Sequence, residues 1–388
     1  MTKDRGTPHQ LASLPASPKG EALKKGIRTM QNPTDKIIAA HGEYITGLND
    51  LTADKKPSVF FYLFGKAYSH VLCDEPDEAG LKKALRWRRR LNPLLKKLVP
   101  VSMKVKQIFE NRNELRGLPG KDKGISLPDE PVIWMSTHLF KDDAAASVVA
   151  VKRNAYILFG SLPQFYNTFD GVFSWINGVV LVNRKSKASR SQSTSRAVKT
   201  IRAGADLLVF PEGGWNRTPE LLLTALWPGI YRIAKETGSK IIPVVHYIED
   251  PTCIDKRNKI HTVVDDPVDI TSMSEKEALD YLRDIMATWH YLMMERYGRT
   301  TRAELLGSYS AYDDAWIDQL ALRDLTVEYY DKEIEQRADY RPNEKDSPSQ
   351  VWEPVATIEH ITSANAAHVA YARNLIDDLK KHDYQRSY

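Results

Sequence analysis

Short apolar segments alternate with segments of helical periodicity through the middle of the chain. Each apolar segment is four to seven residues long and nearly free of polar side chains, which is typical of strands that are buried on both faces of a parallel sheet. The alternation predicts an α/β protein with a mostly parallel central sheet flanked by helices. The predicted strands are 132–135, 156–159, 179–182, 207–210 and 241–247, and the helices between them are about 144–152, 165–175, 191–202 and 230–236.

The ends of the chain have a different pattern. Ser274 and Glu277 have the spacing of a capping box, and apolar residues then recur at helical spacing up to Gly298. Further helical periodicity at 311–336 and 363–381 predicts a helical C-terminal extension. We therefore divide the chain into a flexible polar tail (1–30), an N-terminal helical and basic segment (31–110), an α/β domain (111–298) and the extension (299–388).

The segment 81–109 is strongly basic and amphipathic. Residues 81–106 contain ten Lys or Arg residues and no Asp or Glu, more than the net charge of +5 on the whole chain. Asn92 followed by Pro93 predicts a helix start, which divides the segment into two short helices. A solvated face packed on the core, an anionic lipid surface and nucleic-acid phosphates all fit this pattern, and nucleic acid is the least favoured. The candidate membrane-surface residues are Trp87, Arg88, Arg89, Arg90, Lys96 and Lys97.

Several sequence features bear on the cellular compartment. Cys73 and Cys253 are the two cysteines, too few for a disulfide framework and consistent with a reducing compartment. No apolar stretch reaches the roughly 18 residues of a spanning helix, and the polar start of the chain does not resemble a secretory signal. We expect a cytoplasmic protein that is peripheral on the inner face of the membrane.

The pair His138 and Asp143 is the strongest candidate for chemistry. On a continuous helix, residues five apart point roughly 140° away from each other, so the two side chains meet only if His138 lies in the turn before the helix. The predicted strand 132–135 and helix 144–152 leave such a turn between them. A carboxylate bonded to an imidazole fixes its tautomer, and the other ring nitrogen becomes a general base. By itself the spacing also fits a structural His–Asp pair.

Three later stretches change the interpretation of this pair. They are NGVVLVNR at 177–184, ADLLVFPEGGWNRTP at 205–219 and IIPVVHY at 241–247. Together with His138 and Asp143, and in this order, they resemble the glycerolipid acyltransferase family, which includes glycerol-3-phosphate and lysophosphatidate acyltransferases. The matching residues are His138 and Asp143 in the first block, Gly178 and Arg184 in the second, Phe210, Pro211, Glu212 and Gly213 in the third, and Ile242, Pro243 and Val244 in the fourth.

The third block departs from the family pattern. Many members continue with Thr-Arg-Ser after the glycine, whereas Gly214, Trp215 and Asn216 follow here and the arginine comes two places later, as Arg217. The resemblance implies that Arg184, Glu212 and Gly213 bind the acceptor or its phosphate. Arg217 is a candidate for the phosphate-binding role of the altered loop, and the alternative is an acceptor without a simple phosphate. Backbone amides around Gly213 and Gly214 are candidates for an oxyanion site, and Trp215 is a candidate for stacking on the acceptor or touching lipid.

The implied reaction is the transfer of a fatty acyl group from acyl-CoA or acyl carrier protein to a hydroxyl of a glycerol-3-phosphate or lysophospholipid acceptor. The expected catalytic domain is 111–298, and no cofactor is required. We assign no metal, because the spacings of His246, His261, Asp265 and Asp266 match no metal site and favour core or surface roles. The alternative is a non-catalytic protein that binds lipid or nucleic acid through the basic segment.

Overall fold

The computed structural model describes residues 78–139, 142–160, 169–182, 187–216, 223, 226–249 and 258–298. The predicted tail at 1–30 and the predicted helices at 311–336 and 363–381 lie outside these residues.

A seven-stranded sheet forms the centre of the described structure, in the strand order β1-β7-β6-β2-β5-β3-β4. The five strands from β6 to β4 are parallel, which confirms the predicted mostly parallel sheet. β7 runs antiparallel to β6, and β1 is parallel to β7. The strands are Lys106–Phe109 (β1), Ile133–Ser136 (β2), Ala155–Phe159 (β3), Val179–Leu181 (β4), Asp206–Val209 (β5), Ile241–Ile248 (β6) and Lys259–Val264 (β7).

Helices cover both faces of this sheet, as expected for parallel strands that are apolar on both sides. Ile133 and Met135 point into one apolar cluster with the helices α5, α6 and α7, while Trp134 points into the other with α3. All three side chains are fully buried. The helices are Glu78–Ser102 (α1), Arg112–Leu115 (α2), Asp143–Ala150 (α3), Phe169–Asn177 (α4), Lys187–Arg202 (α5), Gly229–Thr237 (α6) and Glu275–Tyr297 (α7).

The predicted break at Pro93 is wrong, because α1 continues through this residue and through Pro100. A proline inside a helix costs about 3 kcal/mol. Leu81 and Leu85 are buried before Pro93 and Leu95 and Val99 after it, and each such side chain stabilises the fold by about 1.5–3 kcal/mol. Packing on both sides of the proline therefore outweighs the lost hydrogen bond.

The sequence pattern did not predict two of the strands. β1 lies within the segment that we assigned to basic helices, and β7 follows β6. β1 has the sequence KQIF, whose burial is mixed, so its apolar content is too low to identify it as a strand; the hydrogen bonds to β7 define it.

The capping box at the start of α7 is confirmed. The Ser274 hydroxyl accepts from the Glu277 amide, and the Glu277 carboxylate accepts from the Ser274 amide at 2.8 Å. In the part of the chain that the structure describes, none of the helices combines the length and the apolar composition needed to cross a bilayer.

Candidate active site

His138 and Asp143 meet where β2 ends and α3 begins. The His138 Nδ1 atom lies 3.0 Å from Oδ2 and 3.2 Å from Oδ1 of Asp143. The carboxylate is fully buried, whereas the imidazole keeps 20% of its surface exposed. Since a carboxylate only accepts, the Nδ1 atom carries the proton of this bond. Nε2 is therefore the nitrogen that can take a proton from a substrate.

The turn between β2 and α3 brings the two side chains together. His138 stands two residues after the end of β2, and Asp143 is the first residue of α3. The Asp143 carboxylate also accepts from the Leu139 amide. The neighbouring Asp142 carboxylate accepts from the Lys104 amide at 2.8 Å, which brings the end of α1 to the same edge of the sheet.

The loop after β5 holds the backbone of His138 from both sides. The His138 amide donates to Oε1 of Glu212 at 2.9 Å, and the Asn216 amide donates to the His138 carbonyl at 2.6 Å. Glu212 is fully buried. Its contact is therefore with the backbone of the His138 turn, and its role in acceptor binding stays a prediction.

Two aromatic rings from the same loop border the imidazole. The centroid of the Phe210 ring lies 4.6 Å from that of His138, and the Trp215 ring lies 5.6 Å away. Trp215, where the third motif block departs from the family pattern, thus lies directly beside the candidate base. A motif comparison locates Trp215 in the sequence, but it does not reveal that the ring faces His138.

The glycines of the two motifs have different roles. Gly178 has a φ of +105°, and a Cβ at this position would approach the Tyr156 ring to 2.7 Å, so no larger residue fits. The Gly213 amide donates to the Phe210 carbonyl at 2.9 Å within the turn. The Gly213 amide therefore has a partner within the turn, and the oxyanion role predicted for the amides around Gly213 and Gly214 is not tested by this bond. Gly214 is half-buried in the same loop, and its oxyanion role stays a prediction.

Not every predicted site residue is placed by the structure. Arg184 and Arg217, the predicted phosphate-binding residues, lie outside the described residues. Whether these two arginines lie near His138 therefore stays a prediction.

The predicted membrane-surface residues separate into two groups. The prediction that Arg88 faces a membrane surface is wrong, because its guanidinium is buried. The guanidinium donates to the Tyr156 hydroxyl at 2.7 Å and to the Trp175 carbonyl. Lys96 donates to the Val151 carbonyl, and burial lowers its pKa to about 8. Trp87 is half-buried, with its ring against Trp175. In the second group, the side chains of Arg89, Arg90 and Lys97 are exposed.

The four residues considered as a metal cluster lie in three different environments. His246 is buried beneath the His138 turn, while the ring nitrogens of His261 contact Glu110 and Glu249. Asp265 and Asp266 pair with Arg112. Within the described ranges, no group of three or more His, Cys, Asp or Glu side chains is arranged to hold a metal ion.

The fold and the site together define a class: an α/β protein with a candidate general-base histidine at the carboxyl ends of its parallel strands. Residues 105–247 match the family model described as Acyltransferase. This region is therefore similar to acyltransferases, which supports the resemblance drawn from the sequence blocks.

Two known proteins are similar to parts of the chain. The 1-acyl-sn-glycerol-3-phosphate acyltransferase of Borreliella burgdorferi is 35% identical over 72 residues. That match covers 19% of this chain and 28% of the relative. The crystal structure of the 1-acyl-sn-glycerophosphate acyltransferase PlsC from Thermotoga maritima covers 71% of this chain and 99% of its own, with 16% identity and a TM-score of 0.39.

Proposed function

We propose that this protein transfers a fatty acyl group from an acyl thioester, acyl-CoA or acyl carrier protein, to a hydroxyl of a glycerol-3-phosphate or lysophospholipid acceptor. The contact between His138 and the buried Asp143 carboxylate carries this proposal. A buried carboxylate behind a partly exposed imidazole is the arrangement of a general base. The match of residues 105–247 to the Acyltransferase family model supports acyl transfer as the reaction.

The proposed step is a direct transfer. Nε2 of His138 removes the proton of the acceptor hydroxyl while the oxygen attacks the thioester carbonyl. Asp143 stabilises the imidazolium through Nδ1–H. The tetrahedral intermediate then expels the thiolate, which takes the proton from Nε2, so the products are an ester and a free thiol. Neither a metal nor an organic cofactor is needed, because the imidazole supplies the proton transfer and a thiolate is a good leaving group.

The acceptor is proposed to be an anionic glycerolipid. The name of the Borreliella relative, which acts on 1-acyl-sn-glycerol-3-phosphate, supports an acceptor of this kind. Arg184 and Arg217 are proposed to bind its phosphate, since guanidinium groups form bidentate contacts with phosphate. Trp215 would then cover the acceptor on the side of the imidazole.

The test is a thiol-release assay with acyl-CoA and acyl carrier protein, across glycerol 3-phosphate, lysophosphatidate and zwitterionic lysophospholipids. Wild type is expected to release thiol with at least one acceptor, and His138→Ala is expected to lower the rate by at least about a hundredfold. His261→Ala, a change at another buried histidine, is the control. Equal rates for His138→Ala and wild type would overturn the mechanism. No thiol release from any pair, with salt-sensitive binding to vesicles or nucleic acid, would favour the non-catalytic alternative.

We also propose that α1 docks on an anionic membrane surface. Leu91, Leu94, Leu98 and Val101 are between 40% and 74% exposed and form one stripe at helical spacing. Exposed basic side chains border this stripe, and this combination suits anionic lipid better than water. The stripe is on the half of α1 that ends at the carboxyl edge of the sheet, beside the catalytic turn.

Liposome sedimentation tests the docking proposal. The double change Leu94→Asp and Leu98→Asp is expected to reduce binding to vesicles that contain anionic phospholipid by about tenfold or more. Leu118→Asp, at a leucine that is 52% exposed outside the stripe, is expected to have no effect. Equal sedimentation of the two variants would contradict a docking role for the stripe.

A further inference from the structure

His246 is a buried histidine that the proposed reaction does not use. It lies on β6 and is inaccessible to solvent. Its Nε2 atom is 2.8 Å from the Ser147 hydroxyl, and its Nδ1 atom is 2.9 Å from the Thr262 hydroxyl. Both ring nitrogens therefore have partners within the protein.

Two of the partners of His246, Thr137 and Ser147, belong to the elements that carry the candidate catalytic pair. The His246 amide donates to the hydroxyl of Thr137, the residue directly before His138. Ser147 lies one turn after Asp143 in α3, and its hydroxyl donates to the Asp143 carbonyl at 2.7 Å. His246 thus connects the end of β2 with the first turns of α3, in addition to the direct contact between the Ser136 and Ser147 hydroxyls at 2.8 Å.

The hydrogen bonds allow one consistent arrangement of protons. When the Ser147 hydroxyl donates to the Asp143 carbonyl, which only accepts, its oxygen accepts from Nε2 of His246 and from the Ser136 hydroxyl, which lies 2.8 Å away. Burial lowers the pKa of His246 to about 4, and the neutral ring therefore accepts at Nδ1 from the Thr262 hydroxyl. Thr262 accepts in turn from the Gln107 side chain at 3.0 Å. Every contact is satisfied with a neutral Nε2–H tautomer.

We propose that His246 is a positioning residue for the His138–Asp143 pair. Through Ser147 and Thr137 it holds the start of α3 against the end of β2, and this distance decides whether Nδ1 of His138 reaches the Asp143 carboxylate. The inference rests on the proposed acyl transfer for its role in turnover. A misplacement of about 1 Å at a reacting group lowers rates by about a hundredfold, so the loss of the connection should appear in kcat.

Four variants test the connection in the full chain. His246→Leu removes both side-chain bonds, and His246→Gln keeps an N–H donor where Nε2 stands. Ser147→Ala removes the hydroxyl but is a small change that the helix should tolerate. Thr200→Ala is the matched control, because the Thr200 hydroxyl makes the same bond to a carbonyl four residues earlier in α5.

The expected result is a fall in kcat without a matching change in KM. Per folded molecule, His246→Leu and Ser147→Ala should lower kcat by about ten- to a hundredfold, with KM within about twofold. His246→Gln should recover most of this loss, and Thr200→Ala should behave as wild type. The double variant with both His246→Leu and Ser147→Ala should be no slower than the slower of these two single variants. If His246→Leu does not fold, Ser147→Ala and His246→Gln decide the question.

A readout that needs no turnover separates this inference from the proposed function. In wild type, the proton between His138 Nδ1 and Asp143 should give a downfield NMR signal, and Ser147→Ala should broaden or remove it. Wild-type kcat and an unchanged signal in Ser147→Ala, or losses in kcat that multiply in the double variant, would overturn the positioning role. No thiol release by wild type, with the signal still dependent on Ser147, would overturn the reaction and leave the positioning role in place.

Discussion

Acidification is expected to destabilise this protein through His246. In the unfolded chain this imidazole has its ordinary pKa of 6.5, whereas burial in the folded protein lowers the pKa to about 4. Between these values the unfolded state binds the proton and the folded state does not. Stability from His246 is therefore fully present above pH 6.5 and is lost as the pH falls to about 4.

The size of the effect follows from the two pKa values. The full difference corresponds to about 3 kcal/mol, and about 2 kcal/mol of it is lost between pH 7 and pH 5. Most single domains have only 5–15 kcal/mol of stability, so the change should be measurable. We expect this loss of stability to accompany protonation of the His246 ring, because its neighbours Ser147 and Thr262 do not titrate in this range.

The assay is urea unfolding of wild type and His246→Gln at pH 7 and at pH 5. Other groups titrate in both proteins, so the comparison of the two pH-dependent changes isolates His246. Glutamine does not titrate, and the variant should lose about 2 kcal/mol less than wild type on acidification, even if it is less stable at pH 7. An identical loss in the two proteins would show that the folded-state pKa of His246 is not depressed.

Three further predictions follow from the contacts described above. Asp143→Asn should lower kcat in the thiol-release assay by about 10²–10⁴, because a neutral amide does not balance an imidazolium and its NH₂ group can stabilise the other tautomer of His138; a loss below tenfold would contradict the role of the carboxylate. Gly178→Ala should lower the free energy of unfolding by about 2 kcal/mol or more, since the Cβ would overlap the Tyr156 ring at a positive φ, and an unchanged urea midpoint would refute this. Arg88→Met should destabilise by about 2 kcal/mol because the Tyr156 hydroxyl and a carbonyl lose their donor, whereas Arg90→Met should leave stability within about 0.5 kcal/mol and weaken binding to anionic liposomes. The reverse pattern for the two arginines would contradict the burial of Arg88 and the exposure of Arg90.

Most of the sheet could be predicted because its strands are buried on both faces. Such strands need nearly continuous apolar runs, as at 132–135 and 207–210, and these are visible in any window of the sequence. β1 has no such run, because it lies at the edge of the sheet and is exposed at both ends. Its identity as a strand comes from its pairing with β7, which is far away in the sequence.

The basic segment shows the opposite case, in which a strong local signal was misleading. Pro93 predicted a helix start because it lacks the amide that a helix interior uses. Whether the helix continues depends on the burial of leucines on both sides, which is a property of the folded core. Similarly, composition identifies Arg88 as part of a charged run but does not show that its guanidinium lies among Tyr156 and Trp175.

The sequence by itself indicated the class of fold, the candidate catalytic pair and the resemblance to an acyltransferase family. These follow from local patterns: the apolar runs, the spacing of His138 and Asp143, and the order of the motif blocks. Only the tertiary structure decided what surrounds the pair. Glu212 and Asn216 hold the His138 backbone, Phe210 and Trp215 border its ring, and His246 lies beneath it. These residues come from strands and loops that are adjacent in the sheet but about 70 to 110 positions away in the chain, and no local pattern records such contacts.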